Sequence, residues 1–360
     1  MSEEQGKALV ALSGGVDSSL VASLLMEDGW QVEAVTFIMV PGPVGHSEAE
    51  DQTCRRAGQV AAALGIPHHC VDVSVRFQEQ VLAPCWQEYD QGRTPNPCVL
   101  CNERIKFSLL LDEAERMDAS IVATGHHARL SVDQEGRLHL LRGADRAKDQ
   151  SYFLYRLLDS PLLGTRLEGV RFPVGHMTKE EVRREAAARR LPSAEARESQ
   201  DVCFSAVGLA ASMGSVSVLE SVAEQGNQPS PKGQDDGGTS LPTNRTSVVL
   251  TRSFAESLRT LLGAKARPGR IIDGQGKVLG HHPGVHHFTI GQRRGLSVAS
   301  SQGRLYVTGI DVSRSDVRVG PVEELFSDGL DAVAARWMGG EPRLGRVLVQ
   351  VRYRHKAVWG

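Results

Sequence analysis

Cysteine is scarce in this 360-residue chain. It has six, at positions 54, 70, 85, 98, 101 and 203. That is too few for a disulfide scaffold in a protein of this length, so any with a special role should be catalytic, redox-active or metal-binding. No uninterrupted apolar stretch reaches membrane-spanning length, and Met1 to Lys7 is polar and acidic, without the regions of a secretory leader. The expectation is a cytoplasmic protein with no membrane partner. Excess positive charge is also missing: the formal net charge is −2, which excludes a generally basic surface and leaves local patches to hold any nucleic acid. No internal repeat is present. Apolar side chains are not lacking, and a hydrophobic content of 41% supports two or three domains with true cores.

Among the residues present, Ser13-Gly14-Gly15-Val16-Asp17-Ser18-Ser19 carries most information. It follows an apolar strand, Ala8 to Leu12, and precedes an amphipathic helix bearing Leu20, Val21, Leu24 and Leu25. Two glycines let the backbone turn sharply and approach a ligand. The helix start beyond them offers N–H groups and a positive dipole end to an anion. The hydroxyls of Ser13, Ser18 and Ser19 are further candidate donors. A Walker-type loop would need lysine where Asp17 stands, so transfer of a terminal phosphoryl group is not the natural reading. The string instead resembles the PP-loop of ATP pyrophosphatases, which cleave ATP between the α- and β-phosphates and leave an adenylate on the substrate.

The first two hundred residues alternate between strand and helix patterns, which predicts a doubly wound parallel sheet. Strands are expected at Ala8 to Leu12, Val32 to Val40, His69 to Val73 and Ile121 to Gly125. Helices are expected at Asp17 to Glu27, Glu48 to Leu64, Phe77 to Tyr89 and Glu103 to Met117. Loops after Leu12, Val40 and Thr124 should face one cleft at the carboxyl ends of the strands. Thr178 with Glu181 reads as a capping box opening another helix that runs to about Arg190. Beyond Val207 the texture changes. Glu224 to Ser247 is rich in Gly, Ser, Pro, Gln, Asn and Asp and reads as a disordered insertion. Val278 to Val298 and Arg304 to Val319 show short β-rich segments, and Val347 to Arg354 reads as a last strand with little after it to pair with.

The run Thr94-Pro95-Asn96-Pro97-Cys98-Val99-Leu100-Cys101-Asn102 places a CxxC just before the helix expected near Glu103. A thiol at a helix start near Arg93, Arg104 and Lys106 should be more thiolate and suits a nucleophile. The prolines stiffen the loop around Asn96 and the thiols. Zinc needs about four ligands; Cys203 and His126 or His127 could complete such a set, though nothing in the sequence fixes the geometry. In Glu198 to Phe204 a lone cysteine, Cys203, follows a polar run.

The loop and both cysteine segments together resemble the MnmA-type tRNA-specific 2-thiouridylases, which replace the 2-oxygen of the wobble uridine with sulfur. The likeness extends through Ile105-Lys106-Phe107, Ala123 to Arg129, Lys148 to Phe153, Ser199 to Phe204, Phe288 to Leu296 and Val351 to Arg354. It implies a PP-loop domain of the adenine nucleotide α-hydrolase-like class over 1–206, an insertion over 207–251, a small central β-rich domain over 252–303 and an incomplete C-terminal β-barrel over 304–360. The family's barrel continues past Arg354, whereas this chain ends at Gly360.

By resemblance the ATP site falls on Ala11, Leu12, Ser13, Gly14, Gly15, Val16, Asp17, Ser18, Ile38 and Gly125, with Mg²⁺ as companion ion. Cys101 takes the place of the nucleophile and Cys203 that of the persulfide carrier, the two joining in a transient disulfide. Asn96, Pro97 and Cys98 would face the target base. His126, Lys148, Asp149, Gln150, Arg352 and Tyr353 would contact tRNA, with the glutamine, lysine and glutamate acceptors implied. Sulfur would come from a cysteine desulfurase or relay protein. Cys98 stands where related enzymes often have Asp, and Cys98, Cys101 and Cys203 can also hold a [4Fe–4S] cluster with one open iron. The persulfide route is the favoured expectation. Rival readings are a PP-loop ligase that needs no redox cysteines and a non-catalytic tRNA-binding relative.

Overall fold

The computed structural model describes residues 5–40, 52–196, 258–259, 262–298, 303–333, 335, 345–353 and 356–359. The insertion expected over 207–251 and Cys203 lie outside the described residues.

The N-terminal domain is built on β1 (Gln5–Ala11), α1 (Val16–Glu27), β2 (Trp30–Ile38), α2 (Gln52–Leu64) and β3 (His68–Asp72). Next come α3 (Ser74–Phe77) and α4 (Ala83–Asp90), joined by a π-helical turn at Gln78–Leu82. A second such turn, Asn102–Phe107, joins α5 (Pro97–Cys101) to α6 (Ser108–Arg116). Then follow β4 (Ile121–Ala123), the hairpin β5 (Ala128–Val132) and β6 (Leu138–Arg142), β7 (Val170–Arg171) and α7 (Lys179–Ala188).

Strands β3, β2, β1, β4 and β7 form one five-stranded sheet in that order, parallel throughout. Side chains alternate across it, so β1 feeds two cores at once. Ala8 and Val10 pack with Leu20, Val21, Val182 and Ala186 of α1 and α7 on one face, while Leu9 packs with Phe107, Leu110 and Leu111 on the other. The expected doubly wound sheet is therefore present. Several limits shift, among them that β2 ends at Ile38 rather than Val40 and that the CxxC lies inside a helix rather than before one. Pro97 explains the second shift, because its fixed φ and missing N–H suit the first helical position.

The second unit holds β8 (Gly269–Ile272), β9 (Val278–His282), β10 (Tyr306–Asp311) and β11 (Asp316–Gly320) in the order β10-β11-β8-β9. Its core is Ile271, Phe288, Leu296, Val307, Val317 and Val319. The boundary expected between residues 303 and 304 falls within this sheet. A last ribbon pairs β12 (Leu348–Val349) with β13 (Val358–Trp359). The strand expected from Val347 is thus short and does find a partner.

A disulfide joins Cys54 on α2 to Cys70 on β3, with Cα atoms 6.2 Å apart. The sequence count pointed away from structural disulfides, and the spacing alone gave no sign of this pair. It forms because α2 packs directly beside β3.

Candidate active site

The phosphate loop is held from below. Leu12 extends the ladder by donating its N–H to the Val35 carbonyl, and its own carbonyl accepts from Thr36 Oγ1, which also bonds His68 Nε2 at 2.8 Å. Gly14 then adopts φ +73°, and a Cβ there would stand 2.8 Å from the Arg56 Cβ and 2.9 Å from the Ala57 nitrogen. Both the left-handed backbone and the nearness of α2 demand glycine. Gly15 differs: it is extended, with φ −85°, and a Cβ on it would meet only Ser13 Oγ, at 3.4 Å. The space above Gly15 is open on the ligand side.

The N-cap residue of α1 is Gly15, which has no side chain to cap the helix, so the N–H groups of its first turn keep their capacity for an anion. The serine hydroxyls are bonded within the loop. Ser18 Oγ and Ser19 Oγ both donate to the Gly15 carbonyl, at 3.2 and 2.8 Å, and Ser13 Oγ lies 3.1 Å from Ser18 Oγ. These bonds shape the loop.

Asp17 is the charged centre. Lys179 Nζ donates to both of its oxygens at 2.7 Å. His127 Nε2 lies 3.1 Å from Oδ1; a carboxylate only accepts, so the proton sits on Nε2. His127 is almost fully buried and its Nδ1 has no hydrogen-bond partner among the described residues. Burial works to raise the Asp17 pKa, but the bonds from His127 and Lys179 outweigh it and hold the carboxyl below its ordinary value. Gly125 closes the group: a Cβ there would sit 2.8 Å from the Asp17 Cβ and from the Ser18 nitrogen. The donor set fits a nucleotide with a divalent ion, offering one ionised carboxylate beside an uncapped helix end.

The sequence brings the loop after Thr124 to the same cleft but gives neither His127 nor Lys179 a bond to Asp17. One signal is visible afterwards: a lysine in the first turn of a helix opposes the helix dipole, and such a cation needs an anion nearby.

The CxxC lies by the carboxyl end of the same sheet. Cys101 is buried, with its Sγ 3.7 Å from the sulfur of Met39, the residue after Ile38 at the end of β2. Cys98 is half-buried, one turn earlier on α5. Asn96 occupies the N-cap position without a side-chain capping bond, and Pro97 is buried. Thr94 Oγ1 donates to Thr289 Oγ1 at 3.2 Å, tying this loop to the second unit. Among the described residues no group of three His, Cys, Asp or Glu side chains is arranged to hold a metal.

The residues expected to meet tRNA lie together, though not all face outward. Asp149 Oδ1 accepts from the Gly143 and Ser151 nitrogens. Gln150 Oε1 accepts from the His127 nitrogen. Both shape their own loop. Tyr353 packs its ring 4.5 Å from Phe153, and the Tyr152 hydroxyl donates to the Val351 carbonyl at 3.1 Å. The C-terminal segment thus runs beside residues 148–153, with Arg352 exposed and donating to the Ile290 carbonyl. His126 bonds Thr124 Oγ1 and packs against both Phe107 and Phe172, which also touch each other. The residue is half-buried, and burial, with Lys106 and His127 adding to it, pushes the imidazole down to about 3.

Residues 6–206 match the family model described as the tRNA methyl transferase HUP domain, and residues 257–321 match that of the tRNA methyl transferase PRC-barrel domain. A tRNA-specific 2-thiouridylase MnmA of Geotalea uraniireducens is 37% identical over 98% of this chain and 83% of its own length. The chain belongs to the tRNA-specific 2-thiouridylase family. Another member, from Geobacter metallireducens, is 38% identical over 99% of this chain and 86% of its own. Among solved structures, the U34-tRNA thiolase NcsA of Methanococcus maripaludis with its [4Fe–4S] cluster gives a TM-score of 0.36 at 17% identity, covering 56% of this chain and 62% of that one. A likeness of that size carries no argument for a cluster here. Within the 2-thiouridylase family the middle unit is the PRC-barrel domain, so β8 to β11 count as one domain.

Proposed function

We propose that this chain is an ATP-dependent tRNA 2-thiouridylase, with Cys101 and Cys203 as its sulfur-handling pair. The observation that carries the reading is the approach of Cys101 to the carboxyl end of β2, beside the strand whose carboxyl end bears the phosphate loop. A base lying between them could be activated and thiolated without moving far.

A uridine 2-carbonyl is a weak electrophile with a poor leaving group. Attack of its oxygen on the α-phosphorus, with breakage of the Pα–O–Pβ bond and departure of pyrophosphate, converts that oxygen into AMP. The α1 first turn and Gly15 would hold the phosphates. A Mg²⁺ ion at Asp17 would supply charge neutralisation for the pyrophosphate. Ile38, buried at the end of β2, would face the adenine. Asn96, Pro97 and Cys98 would border the base, and Lys148 with Arg352 would bind phosphates around it.

The terminal sulfur of a Cys203 persulfide then attacks C2 and AMP leaves. The Cys101 thiolate attacks the Cys203 sulfur, the bonding pair stays with the transferred sulfur, and 2-thiouridine departs. In the alternative order Cys101 first releases sulfide, which attacks C2. Both orders end in a Cys101–Cys203 disulfide that an external thiol must reduce. The donor class is a desulfurase-generated persulfide, and the tRNAs are the glutamine, lysine and glutamate acceptors.

The test is nucleoside mass spectrometry of unmodified glutamate tRNA after incubation with the protein, ATP, Mg²⁺, a persulfide donor and a reductant. 2-Thiouridine should form with the natural chain and be absent with Cys203→Ser. Thiolation that persists in Cys203→Ser, or that requires about four iron and four acid-labile sulfide per chain, would overturn the persulfide assignment.

A further inference from the structure

The phosphate loop has Asp17 where a Walker loop has lysine, yet a lysine ammonium is present at that point in space. It comes from Lys179, 162 residues later, at the first position of α7. Four observations fix it there. The capping box of Thr178 and Glu181 sets the start of α7. Asp145 Oδ2 accepts the Lys179 backbone N–H at 3.1 Å, anchoring the first turn. The Lys179 side chain is only 12% exposed, so it lies along the protein rather than in solvent. Its ammonium reaches both Asp17 oxygens.

A cation in the first turn of α7 stands against that helix's dipole, and its burial adds a desolvation cost. A carboxylate partner offsets this, but a purely structural pair would sit as well anywhere along α1. This pair sits at the second residue of α1, next to an uncapped helix end and under Gly125. Both partners flank the surface where an anion would rest.

We infer that Lys179 is the pyrophosphate-binding cation of this site, held on Asp17 in the nucleotide-free chain and shared with the β- and γ-phosphates when ATP is bound. The inference rests on the ATP-using reading given above. Lys179 would supply in trans along the chain what a Walker lysine supplies within its loop, a point charge for the leaving group. Asp17 would then hold a divalent ion, which would supply the positive charge that Lys179 gives up. His127 keeps its N–H on Asp17 through the exchange and acts as a positioning residue.

The test is equilibrium binding of ATP and of AMP, by calorimetry with Mg²⁺, to the natural chain and to Lys179→Met and Lys179→Arg. A pyrophosphate contact predicts that Lys179→Met weakens ATP by tenfold or more, leaves AMP within twofold, and that Lys179→Arg recovers most of the loss. Equal weakening of ATP and AMP in Lys179→Met would assign Lys179 a structural role and overturn the inference, as would unchanged ATP affinity. If Lys179→Met fails to fold, the contrast between ATP and AMP in Lys179→Gln decides in the same way. Failure of the natural chain itself to bind ATP would remove the ATP-using reading and this inference with it, an outcome separate from the variants' behaviour.

Discussion

Gly125 stands over Asp17 so closely that one added methyl group would lie 2.8 Å from the Asp17 Cβ and 2.9 Å from its carbonyl carbon. Gly125→Ala must therefore push the loop after β4 away from the start of α1, at a cost of about 1–3 kcal/mol for overpacking. Its ATP affinity should fall at least tenfold while far-ultraviolet circular dichroism is retained. Normal ATP affinity in this variant would show that the two loops need not touch.

The Asp17 carboxyl is held below its ordinary pKa of 3.8 by the His127 and Lys179 bonds, against the opposing effect of burial. A group lowered on folding contributes stability above its unfolded pKa and loses it as pH falls through the folded value. Urea unfolding should thus show an acid limb below pH ~4 that is shallower in Asp17→Asn. At pH 7 that variant should be less stable by about 1–3 kcal/mol, since it leaves a partly buried Lys179 without its counter-ion. Identical acid limbs would mean that the pair adds nothing.

Burial, with Cys98 and Glu88 adding to it, raises the Cys85 thiol to about 12. A thiol that far above neutrality is almost never thiolate, and the thiolate is the reactive form. Brief iodoacetamide treatment of the native protein at pH 8, followed by peptide mapping, should label half-buried Cys98 first and Cys85 last. Buried Cys101 should react more slowly than Cys98. Prompt labelling of Cys85 would contradict its place among Phe77, Val81 and Ile105.

Thr178 and Glu181 bond reciprocally at the start of α7. Thr178→Ala should lower stability by about 1 kcal/mol and, by loosening the helix start, should also weaken ATP binding through Lys179. Thermal unfolding and ATP titration on one sample would show whether the two losses travel together.

The Cys54–Cys70 disulfide closes a loop with a sequence separation of 16. For a loop of that size the entropic contribution is about 3 kcal/mol. The double variant Cys54→Ala/Cys70→Ala should unfold at lower urea than the natural chain in oxidising buffer, and the difference should shrink when a reductant is added. No difference in oxidising buffer would mean the bond is unformed in solution.

The sheet was legible because its strands are buried on both faces and read as apolar runs, as Leu9, Val10 and Val122 show. The phosphate loop was legible because glycine and serine at those spacings serve one backbone shape. The α7 start was legible from Thr178 and Glu181, which interact locally. Lys179, His127 and the Cys54–Cys70 pair were not, since each gains its role from a neighbour 16 to 162 residues away, and no local pattern encodes such a meeting. The helix over Cys98 was misplaced at its start because Pro97 is equally at home in a stiff loop and in a first helical turn.

The contact between Asp17 and Lys179 also orders events during synthesis. The loop and α1 leave the ribosome long before α7 is made, so for that interval Asp17 has no Lys179 ammonium to meet, and the pair forms only once α7 has docked. Such a long-range closure is late and slow to form relative to local contacts. A domain lacking α7 would keep the complete loop sequence yet leave Asp17 without its ammonium partner.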